Sequence, residues 1–200
     1  MPNSFIRSSL RALFVSTFVS LVGASIAQTE AAKSQTEIDS IKPTEWTSNL
    51  APSLGSASAP IQIVFFVDYQ CPSCRTADPQ VREAVSKRPD VALIYREFPL
   101  HMHQFAKTAA IVAENARVQG TFEVAHKALM DGKTLTQATL KVASLKANVS
   151  TKESASVAKR LESDHLLETK AKLNMVPCFI VIENGKAKLM NKQQVLEFLK

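Results

Sequence analysis

An α/β domain interrupted by an all-helical insertion is the fold class the sequence predicts, and three observations carry it. Two strand-like runs, Ile61 to Val67 and Val91 to Glu97, flank a helical stretch from Pro72 to about Lys87, which is the pattern of a βαβ unit. From about His103 to Leu173 apolar residues recur at helical spacing with no strand between them. The chain then closes with a strand at Cys178 to Ile182, a hairpin turn at Asn184-Gly185, a returning strand at Ala187 to Met190 and a short helix capped by Asn191.

Residues 1–27 read as a signal peptide. Met1 to Arg11 carries Arg7 and Arg11 and no acid, Ala12 to Val22 is almost wholly apolar, and Ser25-Ile26-Ala27 supplies small residues for cleavage near Ala27. The apolar stretch is shorter than the roughly 20 residues that span a bilayer, so export with cleavage is preferred to an anchor. Residues 28–59 are polar and read as a flexible lead-in, with an ordered piece around Trp46 to Leu54 and Trp46 packing on the domain surface.

Residues 60–102 form the first part of the α/β domain. Ile61 to Val67 is continuously apolar and so is expected to be buried on both faces of a sheet. Pro79 falls inside the following helix, where a proline removes a backbone hydrogen bond. In the insertion, residues 103–173, the expected buried sets are Phe105, Ala109, Val112 and Ala116, then Phe122, Ala125 and Leu129, then Leu135, Ala138, Val142 and Leu145. Residues 174–200 complete the α/β part.

The chemistry sits in IQIVFFVDYQCPSCR, residues 61–75, where the first strand runs into Cys71-Pro72-Ser73-Cys74 at a helix start. A cysteine in the first turn has unpaired N–H groups and the positive end of the helix dipole beside it, which favours the thiolate. Cys71 is the candidate nucleophile. Cys74 lies one turn on along the same face and is the candidate resolving thiol. Pro72 suits the first helical position, where no N–H is needed. Two other readings carry less weight: a structural disulfide across two residues constrains the unfolded chain little. A metal site needs further ligands, and no second CxxC or CxxH exists.

Charge and composition exclude other classes. Loss of the signal removes two arginines and no acid, taking the formal charge from +6 to +4. The lysines are spread along helices without interleaved aromatics, so no nucleic-acid platform is expected. About 170 mature residues suffice for one core.

CPSC at the first helix, with YREFPL at the second strand and MVPCFIVIENG at the third, resembles the DsbA-like thiol-disulfide oxidoreductases of the cell envelope. That resemblance implies a thioredoxin-like fold with an inserted all-helical subdomain. It implies a cis peptide bond before Pro177, facing the cysteines, with Val176 offering its main chain to an extended substrate. It implies a periplasmic enzyme needing no cofactor beyond the Cys71-Cys74 disulfide, no metal, thiol-bearing exported polypeptides as substrates, and a quinone-linked, DsbB-like membrane partner. The alternatives are a reductase or isomerase of the envelope and a copper-binding thiol protein. Gln28 to Leu50 is too short and polar for a dimerisation module, so a monomer is expected.

Within that frame Pro72 and Ser73 tune the couple. Ser73 brings a hydrogen bond but no positive charge, so a weaker oxidant than members with histidine there is expected. Asp68 reads as a solvated turn residue. Cys178, where the family carries a small residue, reads as an apolar filler, with a third redox thiol as the sharper possibility. His101 and His103 could join Met175 and the cysteines as soft ligands, but read first as a solvated helix start, while His126 and His165 read as helix-surface or insert-core residues.

Overall fold

The computed structural model describes residues 35–200, so the expected signal peptide lies outside the described residues. Helical residues 35–39 (α1) lead into α2 (Pro43–Thr47), β1 (Ile61–Val67), α3 (Pro72–Ser86) and β2 (Val91–Glu97). Four helices follow: α4 (Ala106–Val118), α5 (Phe122–Met130), α6 (Gln137–Ala147) and α7 (Ala155–Lys170). The chain ends in β3 (Cys178–Glu183), β4 (Lys186–Met190) and α8 (Lys192–Phe198). One sheet has the order β2-β1-β3-β4, with β1 parallel to β2 and antiparallel to β3, and β4 antiparallel to β3.

β1 is buried on both faces, as its unbroken apolar run implies. On one face Ile63, Phe65 and Val67 meet Cys74, Ala77 and Val81 of α3, Val195 of α8 and the apolar side of the insertion. On the other, Val64 and Phe66 meet Ile38, Ile41 and Trp46 from the N-terminal segment, and Leu167 and Ala171 at the end of α7.

This second cover corrects the reading of the lead-in. Residues 35–39 and Pro43–Thr47 of it are helical and pack on the sheet, and Trp46 is fully buried, edge-on to Phe66 with ring centroids 6.1 Å apart. The polar composition misled because only Ile38, Ile41 and Trp46 face the sheet while their neighbours face solvent. Leu54 then bridges to Leu93, and Gly55 takes φ +78° where a Cβ would lie 2.2 Å from the Val91 carbonyl oxygen, so only glycine fits.

The insertion follows the expected pattern in α4 and α5, whose buried residues include Ala109, Val112 and Ala116, then Phe122, Ala125 and Leu129. In α6 the expected face is wrong: Leu140, Ala143 and Ala147 are buried, whereas Ala138, Val142 and Leu145 are exposed. Both sets keep helical spacing, and the packing against α5 selects the one with small residues. Local signals at the ends hold. Asn191 caps α8 with Gln194 in a reciprocal capping box, and Asn184 and Gly185 both adopt positive φ, as a two-residue hairpin requires.

A buried ion pair ties these layers together. The Arg96 guanidinium on β2 pairs with Asp164 of α7, both side chains being fully buried, and also donates to the Trp46 and Glu45 carbonyls at 2.7 and 3.0 Å. The second Asp164 oxygen accepts from the Glu97 main-chain N–H at 2.9 Å. Asp164→Ala strands a buried cation and is expected to cost about 3–5 kcal/mol in urea unfolding. A loss below about 1 kcal/mol would mean that the carbonyls alone satisfy Arg96.

Candidate active site

The site forms where β1 ends and α3 begins. Cys71 is the N-cap of α3, with Pro72 at the first helical position, so its sulfur lies against the free N–H groups of the first turn. Both Cys71 and Cys74 are free thiols in the structure. The Cys71 thiol is lowered from an ordinary 9.0 to about 5. A hydrogen bond from the Cys74 thiol contributes most and burial opposes it; the Ser73 hydroxyl and the main-chain N–H groups of Cys74 and Ser73 add the rest. Ser73 Oγ lies 3.0 Å from Cys71 Sγ.

Cys74 behaves in the opposite way. It is fully buried against the sheet, and burial, then its contact with Cys71, pushes its thiol far above the ordinary value. At neutral pH the shallower sulfur, 7% exposed, is therefore favoured as the thiolate, while the fully buried one is held protonated.

The Val176–Pro177 peptide bond is cis and lies across from the dithiol, with Val176 O 3.8 Å from Cys71 Sγ. The structure thus brings together Cys71, Pro72, Ser73, Cys74, Val176 and Pro177, six of the seven residues singled out from the sequence. Cys178 stands apart. It pairs with Phe66 and joins the core on the other face of the sheet, where burial, then nearby Glu168, pushes its thiol up.

A family model described as Thioredoxin matches residues 47–200. The chain belongs to the thioredoxin family. Among solved structures, a thioredoxin-like oxidoreductase from Silicibacter pomeroyi is 28% identical, with a TM-score of 0.65, covering 80% of this chain and 95% of that one. A linker-deleted variant of Proteus mirabilis ScsC is 22% identical with a TM-score of 0.71, covering 99% and 98%. A periplasmic thioredoxin-like protein from Salmonella enterica is 21% identical with a TM-score of 0.64, covering 78% and 94%; at such identities the likeness is one of fold. Among curated proteins, a Na(+)/H(+) antiporter NhaA 3 from Salinispora tropica is 38% identical over 77 residues, and the chain spans only 12% of its length. No helix among the described residues is long and apolar enough to cross a membrane.

Asp68 departs from the expected solvated turn residue. It is 1% exposed; its Oδ1 accepts from the N–H groups of Gln70 and Cys71 at 2.7 and 3.2 Å. Its Oδ2 accepts from Leu100 N at 2.9 Å and lies 2.7 Å from His103 Nδ1. One carboxylate thus ties the cysteine loop of this thioredoxin-family chain to the loop after β2. The sequence could not separate this from an ordinary turn, because the donors come from a segment 30 residues away. His103 is held in that bond, and His101 is exposed.

The copper set is not assembled. Met175 is 66% exposed, Cys178 lies across the sheet, and no group of three or more His, Cys, Asp and Glu among the described residues is disposed to hold a metal.

Behind the dithiol lies a buried polar network that sequence reasoning missed. His126 of α5, fully buried, lies 3.0 Å from Tyr69 Oη and 3.1 Å from Asp78 Oδ1, which also accepts from Tyr95 Oη at 2.5 Å. Arg75, next to Cys74, donates to the carbonyls of Tyr69 and Leu129, both at 2.7 Å, and of Asp131 and Gly132 at 2.5 and 3.1 Å. These bonds fix α3 and the cysteine loop to the insertion. Polar residues inside apolar periodicity were the available signal. His165, by contrast, is on the surface of α7.

In the reduced protein, the rate of Cys71 alkylation is expected to stay level down to neutral pH and fall through about pH 5. The lowered value stabilises the folded dithiol form fully above pH 9.0, less as pH falls, and not at all below about pH 5. Ser73→Ala is expected to raise the alkylation midpoint by about one unit. An unmoved midpoint would remove Ser73 from the tuning.

Proposed function

We propose that this protein is an exported thiol-disulfide oxidoreductase that introduces disulfides into thiol-bearing polypeptides through Cys71 and Cys74. The observation that carries the reading is the asymmetry of the two sulfurs at the start of α3, a thiol held at about 5 beside one pushed far up, facing the open carbonyl of Val176.

The exchange balances as follows. A substrate thiolate attacks Cys71 Sγ of the oxidised protein, forming a mixed disulfide while the Cys71–Cys74 bond breaks and Cys74 takes up a proton. A second substrate thiolate then attacks the substrate sulfur, and Cys71 leaves as a stable thiolate. The substrate has lost two electrons and two protons overall; the protein holds the Cys71 thiolate and the Cys74 thiol, and the other proton passes to solvent. During the first step Val176 offers its main chain to the extended substrate, and Pro177, which has no N–H, leaves the edge beside it open. Reoxidation requires an external disulfide or quinone-linked oxidant, which we assign to a DsbB-like membrane protein. The protein acts as a monomer in the periplasm, reached through the leader at residues 1–27.

The lowered Cys71 value supports the oxidising direction. A Cys71 value of about 5 lies between the roughly 7 of thioredoxin and the roughly 3.5 of the strongest oxidase, and a stabler thiolate makes a couple more oxidising. A potential between about −270 and −120 mV, measured by equilibration with glutathione, is the expected result. A potential at the thioredoxin end would instead favour a reductase or isomerase.

With reduced, unfolded ribonuclease as substrate, the oxidised protein is expected to form disulfides stoichiometrically. Cys71→Ser abolishes this, and Cys74→Ser accumulates a mixed disulfide on Cys71. Cys178→Ala keeps the rate within about twofold, because a buried thiol with a raised pKa is inert. Retained oxidation in the Cys71→Ser variant would overturn the mechanism.

A further inference from the structure

A groove beside the site takes no part in the exchange chemistry. It encloses about 800 Å³ between the loop after β2, α7 and residues 172–174, which lead through Met175 to Val176. Phe98, Leu100, Leu161 and Leu173 give it apolar walls. α7 turns Leu161, Glu162, His165 and Glu168 into it at helical spacing.

The charges in the groove are unbalanced. Lys107 is 3.5 Å from Glu153, and Lys172 pairs with Glu37 at 2.5 Å, so each lysine is already engaged. Glu162 is exposed and has no ion pair among the described residues. Glu168 is 6% exposed; its Oε2 accepts from His165 Nδ1 at 3.3 Å, and its Oε1 has no hydrogen bond among the described residues. Burial, opposed by the His165 bond, raises the Glu168 carboxyl to about 7, as befits a buried acid short of a full cationic partner. The same carboxylate lies near enough to Cys178, immediately after Pro177, to push that thiol up. Its helix ends at Lys170, and residues 172–174, which line the same groove, run on towards Val176.

Resting on the function proposed above, we propose that this groove is the subsite for a lysine or arginine that flanks the reactive cysteine of an extended polypeptide substrate. Glu168 and Glu162 pair with its cation, and Phe98, Leu100 and Leu173 pack its methylene stem. Leu173 and Val176 are three residues apart, at most about 10 Å along the chain, so the basic residue belongs no more than about four positions from the cysteine. The lining residues 172–174 lie on the N-terminal side of Val176 and no lining residue follows it in the chain, so the preference belongs to one side of the cysteine only. This gives a protein with otherwise main-chain recognition a means of ranking its substrates.

The test uses cysteine peptides carrying Lys, Gln or Glu singly at each of the four positions on either side of the cysteine, oxidised by the full mature protein at pH 8. The expected result is a kcat/KM about fivefold higher for Lys than for Gln at a position within about four residues on one side, shrinking in high salt. Glu162→Gln with Glu168→Gln removes the preference while the Gln peptides are oxidised at a rate within about twofold of wild type. Glu162→Gln alone, at an exposed position, roughly halves it, which guards against misfolding of the double variant. A flat profile, or a preference that survives both substitutions, overturns the subsite. Absence of exchange with every peptide overturns the proposed function and the subsite with it.

Discussion

Burial of β1 on both faces is the constraint on which the rest of the structure depends. A strand reading IQIVFFV cannot leave either side in water without exposing large apolar area, so two covers are needed. One is α3 with α8 and the insertion; the other is built from the N-terminal segment and the end of α7. The first cover brings the dithiol to the end of the strand. The second explains why a polar stretch is folded down and why Arg96 is buried with it.

The same end of the sheet sets the chemistry. β1 stops at Val67 and α3 starts at Pro72, which leaves a loop of four residues for Asp68 to organise. Its carboxylate takes main-chain N–H groups from both the cysteine loop and the loop after β2, so Cys71 is held at the helix N-terminus and cannot swing away. The hydrogen bond from the Cys74 thiol, joined by the Ser73 hydroxyl and the first-turn N–H groups, then favours the Cys71 thiolate, while Cys74, one turn inward, is buried against the core and held protonated. The difference between the two sulfurs is thus a consequence of depth along one helix.

Most of the fold was legible because it depends on local pattern. The limits of β1 and β2, the start of α3 at CPSC, the Asn184-Gly185 turn and the Asn191 cap all rest on residues within a few positions of one another. What was misread depends on distant partners. Trp46 became core because Phe66 lies beneath it, Asp68 became a buried acceptor because Leu100 and His103 reach it, and α6 buried Leu140 and Ala143 because α5 selected that face. The site followed the same division. The CPSC pair announces itself, whereas the contacts of His126, Asp78, Tyr69 and Arg75 exist only once the insertion has folded against α3.

The placement of Cys178 shows how topology can separate three thiols that are close in the fold. Side chains alternate across a strand, so the residue that pairs with Phe66 faces away from α3, while Phe65 and Phe179 face toward it. A sulfur on that side meets Ile38, Ile41 and the end of α7, not the mixed disulfide. Burial and the Glu168 charge both oppose its ionisation, so the thiolate required for attack is scarce as well as misdirected. A single shift of register would move it to the dithiol face, and it would then compete with Cys74 for Cys71. That shift is opposed by packing: it would exchange Phe179 and Val181 with Cys178, Ile180 and Ile182 between two cores, each already filled by side chains of the other size.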